Sequence, residues 1–120
     1  MKICVSEFTY NTFKDIFEDA LSDQEILLVN REGKLSKGKG KPEVIFVSYE
    51  IMFKMIKDNS YKNNLIKLVD GCKFIQGSWA GIESEAAQEL IKRCNLFSHG
   101  GGIHAITIAT YVFAQILRKV

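Results

Sequence analysis

Proline is nearly missing from this chain, a single residue at position 42, and no apolar run reaches the roughly 20 residues that a membrane span requires. The longest candidate, Ile103 to Leu117, is interrupted by His104, Thr107, Thr110 and Gln115, so a soluble protein with no membrane partner is expected. Charge of one sign is also scarce. A formal net charge of +2 is too mild to imply a nucleic-acid partner, and no basic stripe is interleaved with aromatic residues. The three cysteines, Cys4, Cys72 and Cys94, are odd in number, widely spaced and set beside apolar residues, which fits reduced core thiols in a cytoplasmic protein rather than a disulfide frame. The N-terminus offers one Lys and reaches Glu7 too soon for a signal peptide. The two histidines, His99 and His104, do not share a helix face as metal ligands spaced four apart would.

What is present is an ordinary globular composition over 120 residues, one domain able to bury roughly 65% of its unfolded surface. Lys2 to Val5 reads as a first strand, followed by a loop over Ser6 to Tyr10. Thr12 and Asp15 resemble a capping box, and Phe13, Ile16, Phe17, Ala20 and Leu21 then recur at helical spacing. Glu25 to Val29 is a second strand, so the opening unit is a parallel strand–helix–strand crossover. Gly33 to Pro42 is polar and rich in Lys and Gly, with letters close to a phosphate loop. Gly40 stands where a magnesium-binding hydroxyl belongs, and Pro42 leads into a strand rather than a helix, so a solvated, mobile loop is expected.

Val44 to Val47 is a third strand. A helix bearing Ile51, Met52, Met55 and Ile56 follows, Asn59-Ser60 interrupts the pattern, and Tyr61 to Val69 resumes it before Gly71. Cys72 to Gln76 and Asn95 to Ser98 make strands four and five around a helix over Ser84 to Cys94, and Gly100-Gly101-Gly102 precedes a last apolar helix. Five strands alternating with helices predict an α/β domain, a five-stranded parallel sheet in the flavodoxin-like order 2-1-3-4-5 with helices on both faces. The crevice at the carboxyl ends of strands one and three would then gather Ser6 to Tyr10, Ser48 to Glu50 and Gly77 to Gly81.

Three familiar uses of such a sheet are excluded by these loops. The loop after the first strand has hydroxyls but no glycine for a flavin phosphate. Ser48, a lone Glu7 and Ser98-His99 are not the acids and lysine of a phosphoacceptor. No Gly-x-Gly-x-x-Gly joins an early strand to its helix, so a dinucleotide is not bound in the usual way. The loop Gly77-Ser78-Trp79-Ala80-Gly81 is different, because its small residues let a ligand approach backbone N–H groups that no helix has claimed, a suitable seat for a small carboxylate.

Gln76-Gly77-Ser78-Trp79-Ala80-Gly81-Ile82-Glu83 and Gly102-Ile103-His104-Ala105-Ile106-Thr107-Ile108-Ala109-Thr110-Tyr111-Val112 together resemble the N-terminal, substrate-binding domain of the D-isomer-specific 2-hydroxyacid dehydrogenases. Thr110 stands where that family usually has Glu. The resemblance implies that residues 1–120 are one substrate-binding domain whose nucleotide-binding domain is missing or separately encoded. It implies a small 2-oxo or 2-hydroxy acid as ligand, with the amides of Ala80 and Gly81 holding its carboxylate; from their own chemistry and loop positions, Trp79 is expected to wall the pocket and Ser48, Tyr49 and Ser78 to hydrogen-bond the acid. Catalytic residues and NAD(H) or NADP(H) would belong to the nucleotide domain, so none is assigned here and no turnover by this chain alone is expected. The alternative is a non-catalytic ligand-binding or interaction domain on the same sheet. The last helix is apolar around most of its circumference, which suggests homo-oligomerisation through it.

Overall fold

The computed structural model describes residues 1–79, 81–100 and 105–118. Its strands are β1 (Lys2–Ser6), β2 (Glu25–Val29), β3 (Leu35–Lys37), β4 (Val44–Val47), β5 (Cys72–Gly77) and β6 (Cys94–Ser98). Its helices are α1 (Glu7–Thr12), α2 (Lys14–Ala20), α3 (Tyr49–Lys57), α4 (Asn59–Val69), α5 (Glu85–Arg93) and α6 (Ala105–Arg118). The fold is α/β, with one six-stranded mixed sheet in the order β3-β2-β1-β4-β5-β6. The expectation of five all-parallel strands is therefore corrected. The five strands read from the sequence pair in parallel, and β3 adds an antiparallel edge.

That sixth strand lies inside the stretch expected to be a mobile loop. Asn30 is the reason the chain turns back: its Oδ1 accepts from the Glu32 and Lys34 N–H groups at 2.9 and 3.1 Å, and its own N–H donates to the Lys34 carbonyl at 2.8 Å. Gly33, at a φ of +80°, completes the turn, and its N–H donates to the Asn30 carbonyl. A short, lysine-bearing edge strand gives other chains little to pair with.

Register places Cys4, Leu27, Ile45 and Ile75 side by side on one face, all fully buried beneath Met55, Leu65 and Leu90 of α3, α4 and α5. The opposite face carries Ile26, Ile3, Val44, Phe74 and Leu96 in one row, and its cover is incomplete. Leu96 is 63% exposed.

The first helical segment also departs from expectation. Helix starts at Glu7, since Ser6 Oγ accepts the Thr9 N–H at 3.0 Å and caps α1. Thr12, expected to be the cap, instead ends α1 and donates its hydroxyl to the Phe8 carbonyl at 2.8 Å. α2 buries none of its residues fully, and Phe13 and Ile16 of the expected apolar stripe are more than half exposed. Asp58 sets the break between α3 and α4, capping α4 through the Ser60 and Tyr61 N–H groups. α6 shows a similar excess of apolar surface, with Tyr111 and Phe113 each 65% exposed. Among the described residues, no helix is long and apolar enough to cross a membrane.

Candidate functional site

Two neighbouring groups of residues crown the carboxyl ends of the parallel strands. The first is the turn from β5 into α5. Gly77 closes the strand because nothing larger fits: a Cβ there would sit 2.6 Å from Cζ3 of Trp79. Trp79 is consequently folded over the strand end, 7% exposed, with its ring 5.9 Å from that of Phe97 on β6. Backbone bonds pin both sides of the turn. The Ser78 N–H donates to the Val47 carbonyl at 3.1 Å, and the Gly100 N–H donates to the Trp79 carbonyl at 2.7 Å. Ser84 then caps α5 by accepting the Ala87 N–H at 3.1 Å.

Gly81 has a φ of +87°, a left-handed conformation that disfavours any side chain. Among the described residues its N–H has no hydrogen-bond acceptor. Tyr49, Trp79 and Gly81 line one cavity of about 190 Å³ together with Met52, Phe53, Ile56, Ser84 and the acid Glu83. Three residues expected to meet a ligand are thus brought together across the gap between β4 and β5. Ser78 lies beside them but is not in the lining. Its Oγ and the Trp79 Nε1 are both buried without a partner among the described residues, donors that ordinarily demand one. Ala80 lies outside the described residues, as does His104.

Ser48 turns the other way. Its hydroxyl donates to Glu50 Oε1 at 2.9 Å, as do those of Ser6 and of Thr9, the latter at 3.2 Å. This buried hydroxyl cluster ties the end of β1 to the start of α3 around one carboxylate oxygen, while Glu50 Oε2 is buried with no donor among the described residues. Ser48 is therefore a structural tie rather than part of the Tyr49–Gly81 cavity. Sequence reasoning placed Glu50 in a converging loop without giving it a role. The signal was present, a hydroxyl after each of two strands with an acid two residues beyond the second.

Chemically, these groups suit binding. Burial pushes the Cys4 thiol up to about 12, and burial followed by the neighbouring Cys94 pushes Cys72 up to about 11, so neither is a ready nucleophile at neutral pH. Burial, with the Glu50 carboxylate behind it, also drives the Tyr61 phenol above its ordinary range. Among the described residues, no group of three His, Cys, Asp or Glu side chains is placed to hold a metal ion. His99 packs its ring 6.3 Å from Phe97.

Compared with known proteins, the chain matches no family model, no curated protein and no solved structure.

Proposed function

We propose that this chain is the acid-holding part of an NAD- or NADP-dependent oxidoreductase of the D-2-hydroxyacid dehydrogenase kind, binding a small 2-oxo or 2-hydroxy acid at the turn between β5 and α5. The observation that carries the reading is the Gly81 N–H, without an acceptor among the described residues, in a left-handed turn beside a cavity walled by Trp79 and Tyr49. A carboxylate bonded there gains from the small residues that let it reach the backbone. In this reading the fold is a doubly wound, flavodoxin-like sheet with helices on both faces, extended by the antiparallel β3. The dinucleotide itself does not fit this chain: β1 passes through Ser6 straight into Glu7-Phe8 of α1 with no glycine to admit a pyrophosphate, and no redox step is assigned to these residues.

The direct test is Gly81→Val. Valine there must hold the +87° backbone angle and its Cβ must displace the Glu83 carboxylate, so pyruvate binding followed by calorimetry is expected to weaken at least about tenfold while the circular dichroism spectrum is kept. Unchanged affinity would remove Gly81 from the site. Pyruvate and NADH added to the purified chain are expected to give no turnover; oxidation of NADH would show that catalysis resides here after all.

The exposed apolar surface of α6 favours a second element of the account, self-association. Ile108, Val112, Phe113, Ile116 and Leu117 are each about half exposed or more, more apolar surface than an isolated helix normally leaves in water. Sedimentation at rising concentration is expected to show dimers or larger species, and Phe113→Glu is expected to shift them to monomer. A parent chain that stays monomeric at high concentration would contradict it. This same surface is what the alternative reading, a non-catalytic interaction domain, would use.

A further inference from the structure

A larger cavity, about 550 Å³, lies at the carboxyl ends of β1 and β2, and it shares no lining residue with the Tyr49–Gly81 cavity. Phe8, Arg31, Glu50, Lys54 and Tyr61 are among its walls. It borders the β1–β4 junction, where the strand order reverses direction and where open α/β sheets most often take ligands. The volume is that of a small-molecule site.

Its lining is chemically divided. One part of it is Glu50, whose Oε1 already receives three hydroxyl donors and whose Oε2 is covered and has none among the described residues. A carboxylate oxygen kept out of water without a donor costs free energy that a cationic donor would recover. Arg31 and Lys54 enter no ion pair among the described residues; Lys54 stands one turn beyond Glu50 on α3, and its ammonium lies 5.6 Å from the centre of the Tyr61 ring. Glu7 adds a second carboxylate to the lining. Phe8, 69% exposed, and the buried Tyr61 supply apolar wall.

We propose that this cavity binds a free α-amino acid with an apolar side chain. Its ammonium meets the Glu50 carboxylate where Glu50 lines the cavity. Its carboxylate lies between Lys54 and Arg31, and its side chain rests against Phe8 and Tyr61. A zwitterion answers both charges of the lining. A simple acid leaves Glu50 without a cationic partner, and a simple amine leaves the two cations unpaired.

This site is independent of the 2-oxo acid reading and is tested apart from it. Calorimetry on the purified chain compares L-leucine with 4-methylpentanoate, which lacks the ammonium, and 3-methylbutylamine, which lacks the carboxylate. Leucine is expected to bind at least about tenfold more tightly than either. Glu50→Gln should erase the advantage of leucine over 4-methylpentanoate, Lys54→Met should weaken both, and Gly81→Val should change neither. Absence of leucine binding, or 4-methylpentanoate binding as tightly as leucine, overturns the proposal. So does unchanged leucine affinity in a folded Glu50→Gln chain. Should that variant fail to fold, Lys54→Met decides, since its ammonium lies at a half-buried wall and not in the core.

Discussion

Raising the pH from 8 to 11 is expected to lower the urea midpoint of this protein steeply, with nearly all of the loss above pH 9. Cys4 is fully buried and Cys72 nearly so, and burial raises their folded thiols from an ordinary 9.0 to about 12 and about 11. Below pH 9 the thiols are protonated in both folded and unfolded chains, and they impose no pH dependence. Above it the unfolded chain releases protons that the folded chain keeps, so each thiol weakens the fold by about 1.4 kcal/mol per pH unit. For the pair this amounts to roughly 5 kcal/mol by pH 11, a large share of the stability of a domain this size. The Tyr61 phenol, also raised, adds to the loss at the upper end of the range. A Cys4→Ala, Cys72→Ala chain should lose much of the slope. A parent midpoint that stays flat across the range would contradict the burial assigned to these thiols.

Gly77→Val is expected to be the most damaging single change near the turn. A Cβ at Gly77 would lie 2.6 Å from Cζ3 and 2.7 Å from Cη2 of Trp79, so the indole must leave its place against Phe97. Overpacking and the loss of a buried aromatic contact together cost about 3 kcal/mol or more. Trp79 is the single tryptophan, and its fluorescence reports the event directly. A lowered thermal midpoint with a red-shifted emission is expected. A variant with parental emission and midpoint would show that the ring does not depend on the glycine.

Much of the sheet was legible because its strands are short apolar runs bounded by glycine or polar residues, and five of them were located within a residue or so. The edge strand β3 was not. Leu35-Ser36-Lys37 has no apolar alternation, and it is held by the Asn30 turn, whose side-chain bonds are invisible to periodicity. The start of α1 was misplaced for a similar reason. Ser6 ends β1 and caps α1 with no loop between, and its capping bond to Thr9 competes successfully with the Thr12 signal. At the site, Trp79, Gly81 and Tyr49 could be singled out from residue type and loop position. The Glu50 cluster could not be assembled this way, because Ser6 and Glu50 are 44 residues apart and meet only when β1 and β4 pair. Ser48 was assigned to the ligand by loop position alone, and the shorter reach to Glu50 takes its hydroxyl instead.

The central claim is that the amide at the left-handed turn after β5 holds an organic acid. It is tested most directly by titrating ¹⁵N-labelled chain with pyruvate and following each backbone and indole N–H by NMR. A saturable shift of the Gly81 amide, accompanied by the Trp79 indole, is the expected result. Saturation elsewhere, for example around Arg31 and Lys54, with the Gly81 amide unmoved would contradict it.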